Sequence, residues 1–95
     1  MSRFSDLIWK EDGFLVQLRN YSNFNEKEYD EIKRVLSTEL SDWNKTGYVP
    51  VEDSVALVDL VDQLAGGSRF FDESTIQKAE NACIEIHSII NKLIE

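Results

Sequence analysis

Cys83 and His87 stand four residues apart, a spacing that brings a thiol and an imidazole onto one face of a helix. In contact, such a pair would offer a nucleophile and its base. Cys83, however, falls inside an apolar series, Ile76, Ala79, Cys83, Ile86, Ile90 and Leu93, at steps of 3, 4, 3, 4 and 3. In a seam of that kind a free cysteine behaves as a small hydrophobe, and burial makes its thiol less reactive. The expectation is core packing for Cys83, with His87 at the core edge or on the surface.

Carboxylates give the second constellation. Asp59 and Asp62 lie three apart and, with Glu52 and Gln63, form a polar stripe on an otherwise apolar segment. No Asp/Asn/Gly loop of the EF-hand type accompanies them, and one Cys with one His cannot complete a structural zinc set, so no metal is expected. The stripe reads either as a solvated face or as a patch for a cationic partner. Glu26, Glu28, Asp30 and Glu31 crowd the start of another segment, where they complement a helix dipole. Gly66, Gly67, Ser68 and Arg69 offer backbone N–H groups and a cation, but they lack the spacing of a P-loop or a dinucleotide fingerprint. They read as a helix end and a turn, with Phe70 and Phe71 closing the core beneath. Trp43 and Tyr48, near the connection from Gly47 to Pro50, are candidate partner contacts if exposed. No set of nucleophile, base and orienting group emerges, so neither catalysis nor a cofactor is expected.

The elements that position these residues follow from punctuation and period. Asn25 can cap the backbone N–H of Glu28 while Glu28 reaches back, and Phe24 and Tyr29 occupy the staple positions. From there Tyr29, Ile32, Leu36, Leu40 and Trp43 recur at steps of 3, 4, 4 and 3, predicting a helix to about Asn44, with Gly47 as its stop. Pro50 suits a first helical position, and Glu52 and Asp53 follow in the first turn. Val51 to Ala65 is apolar around most of its circumference, which predicts a central helix touched on two sides, its narrow polar stripe facing out. A last helix is predicted from Asp72, with Phe71 and Ile76 as a staple, to the chain end. The opening segment reads as helix through Leu7, Ile8, Phe14, Leu15 and Leu18, provided that Glu11 and Gly13 are tolerated inside it. The alternative is a hairpin about Asp12-Gly13. The sum is one domain over residues 1–95, all-α, a small antiparallel bundle of three or four helices.

Composition bounds the function. Eighteen acidic against ten basic residues leave a net charge of −8, which repels nucleic acid and anionic membranes at long range. One cysteine rules out an internal disulfide, the early carboxylates Asp6, Glu11 and Asp12 argue against a signal peptide, and nowhere do 18 apolar residues run together. A soluble cytoplasmic protein is expected. No motif assigns a family, so partners are inferred from charge: a basic protein, such as a toxin or nuclease masked by an immunity protein or antitoxin, contacted through Glu52, Asp59, Asp62, Trp43 and Tyr48. The alternative is an adaptor that homodimerises or docks through an apolar helical face.

Overall fold

The computed structural model describes residues 3–66 and 73–92, with side chains described for 4–65 and 73–92. The described residues form five helices: α1 (Arg3–Ile8), α2 (Phe14–Tyr21), α3 (Glu26–Thr46), α4 (Val51–Gly66) and α5 (Glu73–Asn91). The fold is an all-α helical bundle, with no strand among the described residues. The predicted start at Asp72, the Phe71 staple, the Gly67–Arg69 turn, Phe70 and Leu93 lie outside the described residues.

The opening segment is helical, but it is two short helices. Asp12 turns the chain with a φ of 57°, and Gly13 starts α2. A Cβ on Gly13 would lie 3.0 Å from both the Cβ and the carbonyl oxygen of Lys10, so the turn requires the missing side chain. Gln17 ties the corner together: its amide donates to the Asp12 carbonyl at 2.8 Å, and its side-chain oxygen accepts from Asn23 at 2.8 Å and Asn25 at 3.2 Å.

α3 begins as its sequence predicts. The Glu28 N–H donates to the Asn25 side chain at 3.1 Å, and the Phe24 and Tyr29 rings meet at 5.1 Å. The reciprocal half of the capping box is replaced by an ion pair, because the Glu28 carboxylate binds Lys10 at 3.1 Å. The helix runs two residues past Asn44 and ends at Gly47, whose φ of 82° suits glycine and whose N–H donates to the Trp43 carbonyl at 2.8 Å. Pro50 stands just before α4 and accepts the first helical bond, from the Ser54 N–H at 3.0 Å.

The short connection from Gly47 to Pro50 does not bring α3 and α4 directly together. α1 packs against both, while α5 packs along α4 and touches α3. Phe4 and Ile8 of α1 are fully buried there, and Phe4 meets Trp43 edge-on at 6.3 Å. Ile32, Leu36, Leu60, Leu64 and Ile86 complete the centre of the core. A second aromatic cluster, Phe14, Phe24 and Tyr29, seals the α2 corner with centroid distances of 5.1 to 5.7 Å.

Two predicted faces shift. In α5 the buried line is Thr75, Ala79, Ala82 and Ile86: Ala79 and Ile86 of the expected seam are in it, Ala82 stands where Cys83 was expected, and Cys83 is half-buried beside it. Ala79 and Ala82 let α5 approach its neighbours closely, and Thr75 adds a hydrogen bond at 2.8 Å to the Ser22 carbonyl. α4 is touched by α1 on one side and α5 on the other, as expected, but the face left over is apolar. Ala56, Leu60 and Leu64 point inward, whereas Val51, Val55 and Val58 are 81%, 48% and 66% exposed.

Asp53 adds a cost. It is fully buried in the first turn of α4, and neither carboxyl oxygen has a hydrogen-bond partner among the described residues. The helix dipole returns about 0.3 to 1 kcal/mol to a carboxylate at such a place, less than the several kcal/mol that burying one without partners costs in hydration, a cost that a neutral amide escapes. Asp53→Asn is expected to raise stability at neutral pH by about 1 kcal/mol, read as a higher urea midpoint. Phe4→Ala, by contrast, is expected to cost about 3 to 5 kcal/mol, since the surrounding helices cannot collapse onto the vacated volume. Urea denaturation of the same preparations measures both.

Candidate functional site

At about 100° per residue, α4 divides into three faces. Ala56, Leu60, Leu64 and Asp53 form the buried one. Val51, Val55, Val58, Asp62 and Ala65 follow one another at steps of 4, 3, 4 and 3 along the exposed front. Glu52, Asp59 and Gln63 occupy the flank toward α1. The predicted polar stripe is thereby split: Glu52 and Asp59 share a flank, and Asp62 stands within the apolar front.

On the α5 side of that front lies an open groove of about 380 Å³, lined by Leu57, Val58, Val61, Asp62, Ala65 and Ile90. Leu57, Val61 and Ile90 are half-buried at its floor, packed against the core. On the α1 side, the Trp9 indole N–H donates to Asp59 Oδ2 at 2.8 Å. Asp59 therefore braces the turn after α1 as well as carrying charge, whereas Asp62 and Glu52 are exposed.

The distribution of ion pairs sets α4 apart. Lys10 pairs with Glu28 at 3.1 Å, Lys33 with Asp30 at 3.6 Å and with Glu85 at 3.3 Å, Lys78 with Glu26 at 4.0 Å, and Arg34 with Glu31. Each of these pairs includes a residue of α3. Of the described helices, α4 is the one whose sequence contains neither lysine nor arginine, and none of its carboxylates is ion-paired among the described residues. The acidic start of α3, expected to serve the helix dipole, is thus also partly neutralised by neighbouring cations. Lys33 further sits 4.7 Å over the Tyr29 ring. The Tyr29 hydroxyl donates to Glu85 at 3.0 Å, and its pKa rises, first through burial and then through that hydrogen bond. These groups stitch α3 to α5.

Trp43 and Tyr48 part company. Trp43 is 4% exposed, so its ring belongs to the core, not to a contact surface. Its apolar period with Leu36 and Leu40 already pointed there. Tyr48, 65% exposed, remains available to a partner. Cys83 Sγ lies 3.7 Å from His87 Nδ1, so the two side chains do meet. The same nitrogen is 2.9 Å from the Cys83 carbonyl, which can only accept, so in the tautomer that makes this hydrogen bond Nδ1 carries the proton and does not take one from the thiol. The pair is therefore not arranged as a nucleophile and base. Among the described residues no cluster of three or more His, Cys, Asp or Glu is placed to hold a metal, and no helix is long and apolar enough to cross a membrane.

Val51, Val55, Val58, Leu57, Val61, Ile90 and Trp9 belong to this site although no motif marks them in the sequence. Their signal was present in the apolar circumference of α4, which exceeds what two neighbours can cover.

Asp59→Ala is expected to move the Trp9 indole N–H resonance and speed its exchange with solvent, at a stability cost of about 1 kcal/mol, while Asp62→Asn leaves both unchanged. Heteronuclear NMR with thermal melts measures this, and the Trp43 indole signal serves as the internal control. Comparison with protein families, with characterised proteins and with solved structures returns no match, so function is argued from the α4 face itself.

Proposed function

We propose that this protein is a small acidic protein-binding module whose partner is a basic protein, and that it works by occupying the partner's cationic surface. The observation that carries this reading is the charge of α4, which no cation among the described residues pairs. Glu52, Asp59 and Asp62 lie on a helix without a cation, whereas the carboxylates of α3 are largely balanced by Lys10, Lys33, Arg34 and Lys78. Unbalanced surface charge steers encounter with an opposite potential and rejects acidic competitors. With a net charge of −8, a nucleic acid is the partner class least suited, and a protein that itself binds nucleic acid is well suited. An inhibitor of a toxin or nuclease, in the manner of an immunity protein or antitoxin, is the specific form of this proposal, with a cytoplasmic site of action and no catalysis of its own.

A second reading is favoured by the exposed valines: an adaptor that docks, or pairs with its own copy, through apolar contacts. The two readings differ in their response to salt. For a charge-steered complex, the association rate with the partner recovered from the native cell falls at least tenfold between about 50 and 500 mM salt, as the Debye length shrinks from about 14 Å to 4 Å. Glu52→Gln/Asp62→Asn lowers that rate at low salt and flattens the slope, with an unchanged melting temperature. A flat salt series with unaltered mutant kinetics would contradict the acidic mechanism and leave the apolar adaptor.

A further inference from the structure

The front of α4 combines two features rarely left open together on a small monomer. One is an apolar ridge, Val51, Val55, Val58 and Ala65, at steps of 4, 3 and 7, running beside the groove floored by Leu57, Val61 and Ile90. The other is a set of carboxylates without an ion-pair partner among the described residues, Asp62 within the ridge and Glu52 and Asp59 on the α1 flank, Asp59 also accepting from Trp9. A helix face with apolar residues at intervals of 3 and 4 is the half of a packing pair that accepts another helix, its ridges entering the groove between neighbouring rows.

We propose that the α4–α5 groove binds one amphipathic helix of a protein partner, with apolar anchors on its inner face and lysine or arginine along its borders. The proposal rests on the reading of the protein as a module for basic partners and assigns that partner's contact element. Charge selects this occupant over a second copy of the chain. Two copies meeting front to front would bring Glu52, Asp59 and Asp62 of each together across the contact, with no cation on either α4 to offset them. Like charges facing one another at an interface disfavour that pairing. A basic helix meets the same carboxylates as counter-charges, and its anchors cover the valines.

The division of labour follows from position. Val58, at the middle of the ridge and also a wall of the groove, is the central contact, and Ile90 supplies the far wall from α5. Asp62 lies where a border cation of the incoming helix would reach it. Asp59 is already engaged by Trp9, so its neutralisation perturbs the turn after α1, and Asp62 is the cleaner probe. Trp9 stands beside the site and reports on its occupation.

The test uses the whole protein and three 18-residue amidated peptides that share a helical frame. The first carries leucine at the inner positions and lysine at the borders; the second replaces the lysines with glutamate; the third replaces the leucines with glutamine. Methyl NMR titration is expected to show saturable shifts at Val51, Val55, Val58, Val61 and Ile90 with the first peptide, and at least tenfold weaker binding of the other two. Val58→Asp is expected to lower affinity for the first peptide at least tenfold with an unchanged melting temperature, whereas Ile84→Ser, on an exposed position of α5 away from the groove, leaves it unchanged. Three results would overturn the inference: no binding of the first peptide, equal binding of the glutamate peptide, or shifts gathered on α3. A sedimentation result in which the protein dimerises below about 50 µM, and Val58→Asp abolishes the dimer, would overturn it too, assigning the groove to a second copy. Failure here is separable from failure of the broader reading. Shifts on α3 or elsewhere that weaken steeply with salt leave the protein a module for basic partners with a different contact face, whereas no salt-dependent binding of any lysine peptide removes both.

Discussion

The burial of Phe4 and Ile8 is the constraint on which the rest of the architecture depends. A helix of six residues is too short to hold itself in water, so α1 is helical because its apolar side is enclosed between α3 and α4. By standing there it takes the main packing surface of both helices that the short connection joins. It also fixes the rotation of α4. Ala56, Leu60 and Leu64 turn inward, Asp59 turns to receive the Trp9 indole, and the remaining valines turn outward. The exposed front of α4 is thus a consequence of how the N-terminal segment packs.

Charge is arranged around that geometry. α3 carries many carboxylates but also the cations that answer them, and its contacts with Lys10, Lys78 and Glu85 hold the two ends of the chain against it. Each exposed pair contributes little alone, so their collective effect is to leave a nearly balanced surface on that side. α4 has carboxylates and no cations. An apolar ridge bordered by unanswered negative charge is the complement of a basic amphipathic helix, and this is why the proposed function and its contact face are argued from one element. Asp53 lies in the first turn of the same helix as a buried carboxyl with no hydrogen-bond partner among the described residues.

Much of the fold was legible in the sequence because local signals agreed. Asn25, Phe24, Tyr29 and Gly47 mark the ends of α3 by chemistry that acts over a few residues, and the structure reproduces the Asn25 cap, the Phe24–Tyr29 contact and the Gly47 stop, while Glu28 turns to the sequence-distant Lys10 instead of reaching back. The break at Gly13 was less legible, since it depends on how closely the chain passes Lys10. In α5 Ala79 and Ile86 of the expected seam are buried, but Ala82 takes the central place expected for Cys83, and Ile76, Cys83 and Ile90 pack half-buried at the core edge, a small rotation that the 3-4 period alone does not fix. For the site, Glu52, Asp59, Asp62 and Tyr48 are at the surface or its edge, as a contact role requires, and Trp43 is not. The apolar front of α4 was visible as composition but was assigned to burial. Which apolar residues a neighbour covers depends on the tertiary placement of α1, and no local pattern encodes that.

The central claim, that α1 and α5 leave the front of α4 open for a partner, is tested most directly by measuring how a soluble paramagnetic chelate broadens individual methyl resonances. In the free protein at low concentration, Val51, Val55 and Val58 should broaden strongly while Leu60, Leu64 and Ile8 are spared, and addition of the partner should protect the three valines. Methyls of Val58 as well shielded as those of Leu60 in the free protein would contradict the account.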